Sequence, residues 1–60
     1  MTFHVAVRWH PPEQDTPCTS AWLVRYVTGD IFNLTLKDVS GIVVMIPLEL
    51  IESVQMERKG

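Results

Sequence analysis

A single cysteine, Cys18, stands in this chain of 60 residues, so no intrachain disulfide can brace it. One unpaired thiol suits a reducing compartment. Basic residues are also few: five Lys and Arg against seven Asp and Glu give a net charge of −2. Nucleic-acid binders gather a basic excess on one face, because neutralising phosphates supplies much of their affinity. Here Arg8, Arg25, Lys37, Arg58 and Lys59 are dispersed along the chain. The three glycines stand singly and build no phosphate-cradling loop. The longest apolar run, Ile42 to Ile46, falls far short of the roughly 20 residues of a membrane helix. Met1 to Trp9 has neither a basic leader nor a continuous apolar core, which reads against a secretory signal. Asn33-Leu34-Thr35 is therefore read as a chance match to the glycosylation pattern, and the expected compartment is the cytoplasm.

A chain this short forms one domain, 1–60, and buries only about 60% of the surface its unfolded form exposes. Natural chains of this size lean on a disulfide, a metal, oligomerisation or a partner.

Phe3, Val5, Val7 and Trp9 alternate with Thr2, His4, Ala6, Arg8 and His10, the period of a half-buried strand. Pro11-Pro12 ends it, and the polar segment 10–20 reads as one long loop, with Cys18 a free thiol within it. A second strand is expected over about 21–28, with Trp22, Val24 and Tyr26 on one face and Leu23, Arg25 and Val27 on the other. Thr28-Gly29-Asp30 reads as a tight turn in which glycine supplies a positive φ. A third strand over about 31–37 sets Phe32, Leu34 and Leu36 against Asn33, Thr35 and Lys37. Asp38-Val39-Ser40-Gly41 forms the next turn, and Ile42 to Ile46 a strand apolar on both faces. The final segment, 47–60, has two readings. One is a helical turn at Pro47 to Leu50 followed by a fifth strand with Val54 and Met56 inward. The other is a C-terminal helix opened by Pro47 and closed by Arg58 and Lys59.

The expected fold is thus mostly β: a small five-stranded barrel of SH3-like or Sm-like kind with one helical turn near the C-terminus. The alternative is a four-stranded sheet plus a C-terminal helix. Closure of the sheet would remove its edges.

Apolar residues exceed what one small interior holds. Strands with two apolar faces are normally covered on both sides, and this sequence has one such strand and most of another. Part of the set Trp9, Trp22, Leu23, Val27, Val43 and Met45 is therefore expected on the surface, where contiguous apolar patches mark contact sites. Trp9, Trp22, Val43 and Met45 are the interface candidates.

Evidence for chemistry is thin. A metal site needs three or four converging ligands. His4 and His10 lie on one strand roughly 20 Å apart, and His10, Asp15 and Cys18 follow no established ligand spacing. Cys18 with His10 lacks an orienting third group for nucleophilic catalysis. Glu49, Glu52 and Glu57 read as the solvated side of the last element. No catalytic, metal-binding or cofactor-binding residue is assigned, and no cofactor is expected.

Val43-Val44-Met45-Ile46-Pro47, followed by Ile51-Glu52, resembles in layout about ten residues of the plasmid-borne trimethoprim-resistant dihydrofolate reductases. That family builds an SH3-like barrel and assembles as tetramers around a central active pore. The glutamine and tyrosine that act in its Val-Gln-Ile-Tyr-Pro run are Val44 and Ile46 here, which speaks against that activity.

The expected function is a non-enzymatic protein-interaction module, self-associating or binding a partner protein as an accessory or inhibitory factor. A small single-stranded nucleic-acid binder is the alternative, with Arg8, Arg25 and Tyr26 as its contacts. An enzyme whose site forms only at a subunit boundary is the third.

Overall fold

Alternation of Phe3, Val5, Val7 and Trp9 sends every second side chain of the first strand to one side, and that strand is the centre of hydrophobic packing. In the computed structural model, which describes residues 1–59, it is β1 (Phe3–Trp9), followed by β2 (Cys18–Gly29), β3 (Asn33–Asp38), β4 (Val43–Pro47) and β5 (Ile51–Arg58). A 3-10 turn, Leu48–Leu50, precedes β5. All pairings are antiparallel, in one sheet of order β4-β3-β2-β1-β5.

β2 is the spine of the sheet. Its first half pairs β1, from Trp9 opposite Cys18 to Phe3 opposite Val24. Its second half pairs β3, beginning with Val24 opposite Asp38 and Tyr26 opposite Lys37. The register slips there, so two residues of β2 advance against one of β3: a bulge, which bends a strand and resets the phase of its side chains. This corrects the expectation that Trp22, Val24 and Tyr26 share a face. Val24 is fully buried, Tyr26 is exposed, and Val27 turns toward the core in its place.

That core comprises Val5, Val7, Val24, Leu36 and Ile46, drawn from the four strands β1 to β4. Phe3, Trp9 and Trp22 pack around one part of it, and Val27, Leu34, Val44 and Ile51 around the rest. No polar or charged residue is buried with them among the described residues.

Further expectations change. The long loop closes at Pro17 rather than residue 20, because β2 begins at Cys18, which is half-buried opposite Trp9 and not a loop thiol. Gly29 does not take a positive φ; it ends β2, and the turn is made by Asp30, whose Oδ1 accepts from the Phe32 and Asn33 N–H groups at 2.7 Å each. Only Gly41, at φ 94°, has positive φ among the described residues.

Residues 51–58 form a strand, which overturns the C-terminal helix: Ile51 is already extended (φ −88°, ψ 128°), and β1 offers an unpaired edge whose backbone groups β5 satisfies. Val54 and Met56 stand opposite Val7 and Val5, on the core side, yet both remain exposed because β5 is the last strand and nothing packs over it.

The sheet is not closed. No ladder joins β4 to β5 among the described residues, so both strands are edges. β4 is five residues long and ends in a proline without an N–H. The 3-10 turn gives its backbone bonds elsewhere: Leu48 N donates to Phe32 O, and Leu50 O accepts from His10 N, at 2.8 Å each.

Candidate interaction surface

β4 reads Val-Val-Met-Ile-Pro, without a charge. Its pleat sends Val44 and Ile46 to the core, so Val43 and Met45 project from the opposite face, 57% and 58% exposed. Val43 stands opposite Lys37 and Met45 opposite Thr35. On the far side of β3, Lys37 faces Tyr26 and Thr35 faces Thr28. The surface is therefore a strip in which an apolar edge gives way, strand by strand, to hydroxyls, one lysine and a tyrosine ring.

The turn entering this strip is held by a carboxylate. Asp38 Oδ1 accepts from Ser40 Oγ at 2.7 Å and from the Ser40 and Ile42 N–H groups at 2.9 Å each, while Gly41 N donates to Asp38 O. The Ser40 hydroxyl, with these backbone donors, holds the Asp38 carboxyl below its ordinary pKa. The Phe32 and Asn33 N–H groups lower Asp30 in the same way at the other end of β3. The bonds to Asp38 hold the turn that leads directly into β4.

Of the four interface candidates, Val43 and Met45 are open and adjacent on one strand. Trp9 and Trp22 are half-buried and pack against the core, and the Trp9 indole N–H donates to Ser20 Oγ at 3.2 Å. The nucleic-acid candidates do not converge as a set. Arg8 lies opposite Thr19, seven β2 residues from Tyr26, a separation of roughly 20 Å, and its Nε is 3.7 Å from Glu52 Oε1. Arg25, the residue within the bulge, is next to Tyr26.

Among the described residues no three His, Cys, Asp or Glu side chains gather as a metal site. His4 lines a shallow depression with Ala6, Gln55, Met56 and Glu57. His10 follows the end of β1, Asp15 is exposed in the loop, and Cys18 is in β2. No described helix is long and apolar enough to cross a membrane.

One exposed apolar group escaped sequence reasoning. Ile31 and Phe32, placed in β3 by simple alternation, lie instead in the Asp30 turn, 82% and 69% exposed, beside Leu48 in a second shallow depression. The legible signal was Asp30 itself, since an aspartate two residues before a free N–H favours an Asx turn over continued strand. No protein-family model, curated protein or solved structure matches this chain.

Proposed function

We propose that this chain is a non-enzymatic protein-interaction module that self-associates or binds a partner protein through the outer face of β4, serving as an accessory or inhibitory factor. The observation that carries the reading is the pairing of exposed Val43 and Met45 on an uncharged strand at the open edge of the sheet. Contiguous apolar surface of this kind marks contact sites. On this reading the sheet is an open form of the SH3-like barrel. The order β4-β3-β2-β1-β5, the long bent β2 and the 3-10 turn before β5 support that architecture. The single half-buried cysteine supports a reducing, cytoplasmic setting.

Light scattering across a dilution series, for the native chain and for Met45→Lys, tests the proposal. The native chain is expected to exceed the monomer mass or to capture a protein partner, and Met45→Lys to abolish either. A native monomer whose partner capture is indifferent to Met45→Lys overturns it.

A second reading, a single-stranded nucleic-acid binder, is favoured by one observation: exposed Tyr26 stands opposite Lys37 with Arg25 adjacent. It predicts binding that falls steeply with salt, whereas contact through Val43 and Met45 changes little with salt. Titration of an oligonucleotide at two salt concentrations separates them.

A further inference from the structure

The two edges of the sheet are built differently. β5 carries Glu52, Glu57 and Arg58 along its length, the charged protection that natural edge strands use against pairing with another chain. β4 carries none, and its only guard is Pro47 at its end.

Backbone direction on β4 follows from its bonds. Asp38 N donates to Ile42 O, and Leu48 N to Phe32 O, so the even-numbered residues 42, 44, 46 and 48 turn their N–H and C=O groups toward β3. Val43 and Met45 therefore turn theirs outward, to an edge with no neighbouring strand. Within β4, the residues with exposed apolar side chains, Val43 and Met45, are the ones with free backbone groups.

Resting on the self-association reading above, we infer that the occupant of this edge is a second copy of the chain, paired β4 to β4 about a two-fold axis at Val44. Of the registers centred between Val43 and Met45, three let outward groups meet outward groups, and two of them fail. Centring on Val43 sets Met45 against Gly41, whose N–H is already given to Asp38 O and whose φ is 94°. Centring on Met45 sets Val43 against Pro47, which has no N–H. Centring on Val44 sets Val43 against the partner copy's Met45 and the reverse, each pair exchanging both N–H···O=C bonds.

This arrangement is isologous and closed, as two-fold interfaces are. It joins the outer faces of the two sheets, bringing two valines and two methionines into one patch. No charges oppose one another, because the nearest cation, Lys37, sits one strand back on each side. Antiparallel pairing of β4 with a copy's β5 is less matched. The outward backbone groups of β5 belong to Val54, Met56 and Arg58, since Lys59 N donates to Thr2 O, and Val54 and Met56 lie on the core side. Such a pairing joins the outer face of one copy to the core face of the next. The paired edge is small against the roughly 800 Å² per partner of a stable interface. The dimer is accordingly expected to dissociate on dilution.

The register is tested by cross-linking. Residues 44 meet as a non-hydrogen-bonded pair, with Cα atoms about 4.5 Å apart, within the range a disulfide spans. In a Cys18→Ser background, Val44→Cys is expected to give a covalent dimer under mild oxidation, and Val54→Cys on β5 to stay monomeric. Val43→Pro removes one outward N–H without touching the β3 ladder and is expected to weaken the dimer about tenfold or more, while Val43→Thr keeps that N–H and the dimer. A dimer that neither cross-links through position 44 nor weakens in Val43→Pro overturns the β4 pairing and leaves self-association standing. Assemblies larger than a dimer also overturn it. A native chain that stays monomeric at every concentration overturns both the pairing and the self-association arm, leaving only partner binding.

Discussion

The Trp9 indole N–H donates to the Ser20 hydroxyl at 3.2 Å, across the β1–β2 hairpin. That bond fixes the orientation of the largest side chain at the end of β1, whose ring packs on the core. Ser20→Ala leaves the indole N–H without this partner and is expected to cost about 1 kcal/mol. Urea unfolding should show a lower midpoint with an unchanged slope. An unchanged midpoint would show that the bond contributes nothing.

Leu36 is 1% exposed, the largest of the fully buried side chains. Leu36→Ala is expected to destabilise by about 2–5 kcal/mol, a large part of what a chain of 60 residues holds. The variant should have lost its cooperative thermal transition or show a much lower Tm; a Tm within a degree or two of the parent refutes the placement of Leu36 at the centre of the core.

Gly41 and Gly29 form a matched pair. A Cβ at Gly41 meets nothing within 4 Å, so Gly41→Ala tests backbone conformation alone, at φ 94°. The expected cost is about 1 kcal/mol or more. At Gly29 the nearest atom to an added Cβ is Asn33 O at 3.9 Å and φ is not positive, so Gly29→Ala is expected to be neutral or mildly stabilising. Equal losses in the two variants would contradict the turn geometry.

Acid should loosen both turns. Asp38 is lowered first by its Ser40 hydrogen bond, and Asp30 first by its bond from the Phe32 N–H. A carboxylate whose folded pKa lies below its unfolded one contributes stability above the unfolded value, and that contribution is lost as pH falls through the folded value. Stability should therefore be flat from neutrality to about pH 5 and decline from about pH 4 downward. The decline should be shallower in Asp38→Asn. Denaturant midpoints measured at several pH values check this, and identical profiles for parent and variant would remove Asp38 from the account.

Much of the architecture is legible in the residues. Alternation from Thr2 to His10 before a double proline reads as a strand, and β1 spans Phe3–Trp9 within it. The 3-10 turn at Leu48–Leu50 followed by a fifth strand is one of the two readings that the residues 47–60 admit, and the open edge of β1 selects it. Less legible were the places where one residue changes the phase of a strand. The bulge at Arg25 exchanges Tyr26 for Val27 on the core face, and nothing in Trp22 to Val27 announces it, because apolar residues occupy both phases.

The alternation of β1, β3 and β4, the turn at Asp38 to Gly41 and the excess of apolar side chains are written in the order of the residues. These are local properties, set by φ/ψ preference and by a side-chain period of two. Which of the apolar residues are left in excess depends instead on how the strands pack. Trp9 and Trp22 pack on the core, while Val43 and Met45 do not, because strand order makes β4 an edge and the hairpin bonds of β3 and β4 choose which backbone groups point outward. Order and register depend on residues far apart in the chain, so no local pattern encodes them.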